Sequence, residues 1–205
     1  MSIVEKYTGV PTTCISDGME GQCHMDVSIK PLKENYQAVG RALTVQMVPG
    51  DNQIVLKAIR KAQPGDVLVI DAKGDTHRAI AGDFVLGMMQ TMGLSGVVVD
   101  GAIRDVTDAK ELDFPIFCKA TTVAAGNKHG AGELNVPITC GGVVVEPGDI
   151  VACDADGVVV VPKVVAETVL KKAIDKEKKD EEREARIGND REKVIAHLDK
   201  VLENK

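Results

Sequence analysis

A chain of 205 residues, 44% of them apolar and 27% charged, is long enough for one domain or one domain with an appendage, and this composition fits neither intrinsic disorder nor a collagen-like fibre. With two Tyr, three Phe, no Trp and a net charge of -6, it lacks both the stacking rings and the positive charge of a nucleic-acid partner. The longest uncharged run, Phe84 to Val99, is too short and polar for a membrane span, and the N-terminus shows no basic stretch leading into an apolar one, so a cytoplasmic protein is expected.

In chain order, DNQIVLKAIRKA reads as a helix capped by Asp51, and DVLVID (Asp66 to Asp71) as a buried strand. A helix near Gly82 to Met92 follows, then a strand SGVVVD (Ser95 to Asp100), a tight turn DGAIRD, a short helix starting near Asp105, and a strand PIFCKA (Pro115 to Ala120). From Asn135 the runs VPITC, VVVE, DIVACD and GVVVVP, separated by Gly-Gly and Pro-Gly turns, predict a β-rich layer. The class is α/β. PGDVLVIDAKGD and PGDIVACDADGV match at six of twelve positions, which shared turn chemistry explains better than duplication.

Composition changes after Pro162: all eight prolines and 19 of 20 glycines precede it. Residues 1–162 are expected to form an α/β catalytic domain, and residues 163–205 a charged helical extension with 12 basic and 11 acidic side chains. Val164, Val165, Val169 and Ile174 offer a narrow stripe before an all-polar stretch, the pattern of a helix that starts on its own core and then crosses a neighbouring subunit. Gly188 should end it, with Asn189 or Asp190 capping a short amphipathic helix through Val194, Leu198, Val201 and Leu202. The odd set of five cysteines, without a C-x-x-C pair, suits reduced thiols, and the four scattered histidines show no zinc spacing.

The densest chemistry lies between Ala79 and Asp105. In an open α/β sheet the loops at strand carboxyl ends gather beside helix N-termini, so Gly82, Arg104 and Asp105 can share one crevice. Free amides of residues 82–85 favour an anion such as a carboxylate, Arg104 adds a planar fork of donors, and Asp105 is a hard oxygen ligand for Mg2+ or Mn2+. Taken alone, Asp105 reads better as a helix cap and Arg104 as its surface partner, and only the surrounding motif reverses that preference.

The string A-x-x-G-D-x-x-x-G, then G-x-x-G-V-V-V-D-G-x-x-R-D, then V-x-P-G-D-I-V-x-x-D-x-D-G-V-V-V-V-P closely resembles the RraA-like proteins, over roughly Thr12 to Gly188. These include divalent-metal-dependent 4-hydroxy-4-methyl-2-oxoglutarate aldolases that also decarboxylate oxaloacetate. The resemblance implies a swivelling β/β/α domain, a homotrimer or homohexamer, and a metal-dependent lyase that releases pyruvate from a 4-hydroxy-2-oxo acid. It further implies that the amides of Gly82, Asp83, Phe84 and Val85 hold the pyruvyl carboxylate, that Arg104 holds substrate oxygens, that Asp105 binds the metal directly and that Asp83 reaches it through water. An acidic residue of a neighbour's C-terminal helix completes such shells; Glu177, Glu181 and Glu182 all qualify. Asp17 resembles an acidic position of the family's first helix, and reads equally as an exposed carboxylate.

His77 and His129 read as solvated loop residues, and Lys73, Lys119 and Lys128 stand outside the matched motif, which disfavours a Schiff base. A rival reading is a non-catalytic regulator that binds ribonuclease E, as some relatives of this fold do. A swivelling phosphohistidine carrier lacks a histidine in a recognisable phosphoacceptor motif.

Overall fold

The computed structural model describes residues 2–203; Met1, Asn204 and Lys205, at the ends of the two expected segments, lie outside them. Short helix α1 (Thr12–Gly18) and the two-residue strand β1 (Lys30–Pro31) lead into β2 (Ala38–Met47), α2 (Gln53–Lys61), β3 (Asp66–Ala79), α3 (Asp83–Thr91), β4 (Gly96–Ile103), α4 (Val106–Glu111) and β5 (Ile116–Thr121). Then come β6 (Gly132–Leu134), β7 (Ile138–Cys140), β8 (Val143–Val145), β9 (Ile150–Cys153) and β10 (Val158–Val161), and the helices α5 (Ala166–Ile187) and α6 (Arg191–Glu203).

Strands β2, β3, β4 and β5 run parallel, joined by helical crossovers, as the alternation of apolar runs and amphipathic segments requires. All eight residues of β4 are buried, the mark of a strand covered on both faces. On the other side of β2 its first half pairs with β9 and its second half with β6, so β9 and β10 extend one eight-stranded sheet and only β7–β8 stands apart as a hairpin. The expected separate β layer is thus mostly an edge of the main sheet. Residues Cys23 to Met25 hydrogen-bond to β10, and the same segment continues to pair Lys30 and Pro31 with β5. One stretch of chain therefore touches both edges and nearly closes the sheet into a barrel.

Two strands differ from the sequence expectation. β3 runs eight residues beyond Asp71, because Lys73 and Gly74 take positive φ (58° and 69°) and absorb register shifts against β4 at Asp71/Asp75 and Asp75/Ala79. β4 continues through Ile103, so the turn is confined to Arg104 and Asp105 rather than spread over Asp100 to Asp105. The two Pro-Gly-Asp segments do share their turn: Gly65 and Gly148 have φ of 88° and 85°, and Asp66 and Asp149 each accept the amide three residues back through a side-chain oxygen. Their exits match too, since Asp71 and Asp154 each accept the amide two residues on.

The main core fills the sheet interior and the faces under α2 and α3 with Val, Ile, Leu and Met. A second cluster joins α1 and the start of α5 to β9 and β10. There the contacts come from Ala166, Val169, Leu170 and Ala173, while Val164, Val165 and Ile174 of the expected stripe are exposed. Beyond Ala173 no residue of α5 is buried, and none of α6 is. Gly188 ends α5 with φ 54°, and Asp190 caps α6 by accepting the amides of Glu192 and Lys193. Among the described residues no helix is long and apolar enough to cross a membrane, and all five cysteines are free thiols.

Candidate active site

After β3 the chain passes through buried Ile80 and Ala81 alongside β4: the Ile80 amide donates to Ala102 O (2.8 Å) and the Arg104 amide to Ala81 O (3.0 Å). This pairing fixes the distance between the start of α3 and the end of β4 by backbone alone. Gly82 is the N-cap of α3, the first intrahelical bond runs from the Leu86 amide to Gly82 O (3.0 Å), and no side chain caps the helix. The amides of Asp83, Phe84 and Val85 therefore point out of the helix end as donors for an anion.

Opposite them, Asp105 takes the left-handed conformation (φ 56°, ψ 45°), tolerated by Asp better than by most residues and typical of strain held at functional sites. It occupies the N-cap position of α4, yet its side chain makes no cap bond. The plain helix-cap reading of Asp105 is thus not realised. Instead its carboxylate lies over Gly82, where a Cβ would come within 2.1 Å of Asp105 Oδ2 and 3.2 Å of Arg104 Nε. Arg104 Nε is 3.2 Å from Asp105 Oδ2, and both side chains are more than a third exposed, so this pair contributes little to stability and stays open to exchange with a ligand. Gly82, Arg104 and Asp105 come together as expected, and any side chain at position 82 would have to push the Asp105 carboxylate aside.

Asp83 stands half-buried in the first turn of α3 beside this crevice. Val85 packs against the main core, while the Phe84 side chain, 76% exposed, faces away into an open apolar groove of about 860 Å³ with Leu56, Met88 and Leu112. The lining of that groove is apolar apart from Arg60, Gln90 and Thr91, and it includes neither Gly82, Arg104 nor Asp105. With the Phe84 and Val85 side chains turned elsewhere, their backbone amides are what these two residues present at the start of α3.

Other charged candidates lie elsewhere. Asp17 pairs with Lys176 of α5 at 3.1 Å, and Glu182 lies 3.9 Å from Lys178 on the exposed half of the same helix. Because α5 packs on α1 at the β10 edge, the chain does not itself carry Glu177, Glu181 or Glu182 to the ends of β3 and β4, and among the described residues no three His, Cys, Asp or Glu side chains converge. Lys73 pairs with buried Asp71, and Lys119 Nζ is 3.2 Å from Asp100 Oδ1, so both ammonium groups are engaged by carboxylates rather than free as nucleophiles. His77 and His129 are exposed, and Lys128 projects from the β5–β6 loop. The buried thiols are inert: burial pushes Cys118 up to about 11 and Cys140 higher still.

A hard cation with few protein ligands suits this arrangement. Asp105 offers carboxylate oxygens that no cap bond engages, Asp83 is a second carboxylate in the adjoining turn, and Mg2+ or Mn2+ keeps most of its waters in such sites.

Sequence reasoning missed the role of Asp51 in tying down the β5–β6 loop. Asp51, expected to cap α2, precedes the cap residue Asn52 and is buried, with its carboxylate turned to the β5–β6 loop. The signal lay in the Asp-Asn pair before the helix, but the partner segment is nearly 80 residues away in sequence.

The RraA-like pattern (Aldolase/RraA) matches residues 12–160. A protein of Halalkalibacterium halodurans, provisionally named a 4-hydroxy-4-methyl-2-oxoglutarate aldolase, is 54% identical over 98% of this chain and 96% of its own length. Among solved structures, a Streptomyces coelicolor protein described as an unusual member of the RNase ES inhibitor RraA protein family superposes with a TM-score of 0.82 at 30% identity, covering 90% of this chain and 98% of that one. The RNA-processing inhibitor RraA of Thermus thermophilis does so at 0.69 and 31%, covering 74% and 92%. With the nearly closed mixed sheet and the C-terminal helices in place, these matches establish that the chain belongs to the RraA-like Aldolase/RraA family.

Proposed function

We propose that the protein is a metal-dependent lyase that splits a 4-hydroxy-2-oxo acid to release pyruvate and that also decarboxylates oxaloacetate. The observation that carries this reading is the meeting of an uncapped α3 N-terminus with Arg104 and a strained, non-capping Asp105 over Gly82. The 54% identical relative supports the aldolase chemistry by its name.

In this reading the amides of Gly82, Asp83, Phe84 and Val85 bind the carboxylate of the 2-oxo acid, and the dipole of α3 favours its charge. Asp105 would hold the divalent cation directly and Asp83 through water, and the cation would supply Lewis-acid polarisation of the substrate oxygens. Arg104 donates its guanidinium N–H groups to the C2 oxygen. When the C3–C4 bond breaks, the C4 hydroxyl loses its proton and becomes a carbonyl, and the bonding pair moves into the pyruvate enolate, whose oxygen charge Arg104 shares. A proton returned to C3 completes pyruvate. In oxaloacetate the same bond breaks with CO2 leaving, so one site serves both reactions. Solvent carries both protons, since Lys73 and Lys119 are held in ion pairs and His77 and His129 face outward.

Residues 1–162 carry this chemistry. The extension 163–205 serves assembly into a trimer or hexamer, where a neighbour's Glu177, Glu181 or Glu182 reaches Asp105, and the assembly works in the cytoplasm. Pyruvate release from a panel of 4-hydroxy-2-oxo acids and oxaloacetate, with Mg2+, with Mn2+ and after chelation, tests the reading: metal-restored release supports it, and release undiminished by exhaustive chelation contradicts it. One structural relative described as an unusual member of the RNase ES inhibitor RraA protein family and another described as an RNA-processing inhibitor favour one second reading, a protein-binding regulator of ribonuclease E.

A further inference from the structure

The loop between β5 and β6, residues 122–131, is tied down at three places. At its start the Thr122 amide donates to Ile103 O (2.9 Å), one residue before Arg104. In its middle Ala124 O accepts the Ala79 amide (2.7 Å), Ala125 O accepts Arg78 Nη1 (2.9 Å), and Asn127 exchanges bonds with Gly50 O (2.6 Å) and the Asn52 amide (2.9 Å). Its far end is gripped by a side chain. Asp51, only 3% exposed, accepts the Gln53 amide through Oδ1 (3.0 Å) and the amides of His129 (2.9 Å) and Ala131 (3.3 Å) through Oδ2. The neighbouring Asn52 reaches the other way, donating from Nδ2 to Ile80 O (2.9 Å), two residues before Gly82.

We infer that Asp51 and Asn52 form a clip that sets the 122–131 loop as the rim of the Gly82–Asp105 crevice, with Asp51 a positioning residue for substrate binding. One prong holds the loop and the other holds the segment after β3 that delivers Gly82, so the two move together. A carboxylate suits the first prong because three backbone donors converge on it, and a neutral group with a donor of its own cannot accept them all. These amides hold the Asp51 carboxyl below the usual carboxylate range, against the cost of burial. The charged groups around it are Lys57 of α2, whose Nζ is 3.5 Å from Gly130 O, Arg78 of β3, packed near Gly50, and His129 of the loop itself, which is exposed. With a lowered folded-state value, the clip is intact above the ordinary carboxylate range and is lost as pH falls through the lower value.

The substrate-binding half of this inference rests on the aldolase reading; the clip itself does not. Amide hydrogen exchange on the full-length protein tests the clip, with Asp51→Asn placing an NH2 group against the convergent donors. The His129 and Ala131 amides should exchange about ten-fold faster or more in the variant, while the α3 amides from Leu86 to Thr91 keep their protection. In the same variant KM for oxaloacetate should rise about five-fold with kcat within about two-fold, because a loosened rim weakens binding without touching the donors to the reacting oxygen. Should Asp51→Asn fail to fold, Asn52→Leu cuts the other prong and should raise KM about two-fold while leaving kcat alone. Unchanged loop exchange, or a freed loop with unchanged KM, overturns the proposal. A wild-type protein that turns over no 2-oxo acid overturns the reaction instead, and the exchange result then decides the clip.

Discussion

The crevice at Gly82 and the C-terminal arm are both exposed to solvent, yet they are built in opposite ways. At the crevice the exposed groups are polar and stand on buried backbone: Ile80, Ala81, Ala102 and Ile103 are almost fully enclosed, and main-chain bonds set the position of Arg104 relative to α3. Along the arm the exposed groups include an apolar stripe, Val194, Ile195, Leu198, Val201 and Leu202, carried by a helix with no buried residue. Rigid polar donors on an enclosed scaffold suit chemistry on a small charged molecule. A contiguous apolar stripe without a core suits another protein surface. In the proposed reading, one chain thus separates reactivity from assembly by what lies beneath each exposed surface.

The strongest way to break this contrast is Asp105→Asn, which removes carboxylate charge from the crevice without altering a cap, since none exists. It should lower kcat by about a hundred-fold or more while the melting temperature stays near wild type, as read by steady-state kinetics and calorimetry. A variant with normal metal dependence would return Asp105 to the role of a turn residue. Next comes Gly82→Ala. The added Cβ has to displace Asp105 Oδ2 from 2.1 Å, so activity should fall about ten-fold or more with a smaller loss of stability.

On the arm, deleting residues 189–205 removes α6, which adds nothing to either core cluster. Light scattering should show a smaller assembly, with the same unfolding midpoint for the remaining domain; an unchanged mass would mean that the stripe covers nothing. The cut must not fall at Pro162, because Val169, Leu170 and Ala173 belong to the second core cluster and losing them should unfold that edge of the sheet. The smallest effect is expected at the arm's root. Tyr7→Phe loses the hydrogen bond from its hydroxyl to Ala166 O (2.6 Å) and should cost about 1 kcal/mol in a denaturant titration.

Much of the crevice was legible in the sequence because its parts are local: a glycine at a helix start, and an Arg-Asp pair at a strand end, each read from short-range patterning. The strands β3 to β5 and the helices between them follow from the same alternation, whereas β2 (Ala38–Met47) was not read from the sequence at all. What escaped depends on contacts between distant residues or on backbone states the residue type does not announce. Lys73 at positive φ lengthens β3, and no rule picks a lysine for that conformation. β6 pairs three residues of a glycine-containing loop with β2, too few for a periodicity to show. Of the expected α5 stripe Val169 packs on the core, whereas Val164, Val165 and Ile174 do not, because Ala166, Leu170 and Ala173 complete the contact instead. Asp51 was recognised as polar and near a helix start, but its loop partners cannot be read from local spacing.

The central claim is that the Gly82–Asp105 crevice performs metal-dependent chemistry on 2-oxo acids, and it is tested most directly by pyruvate release measured on matched wild-type and Arg104→Lys preparations, alongside inhibition of ribonuclease E. Lysine keeps the charge and removes the planar fork. The account predicts wild-type release that requires Mg2+ or Mn2+, and a loss in Arg104→Lys of about 2 to 4 kcal/mol in transition-state stabilisation with metal affinity retained. Wild-type ribonuclease inhibition without metal-dependent release from any 2-oxo acid would contradict it.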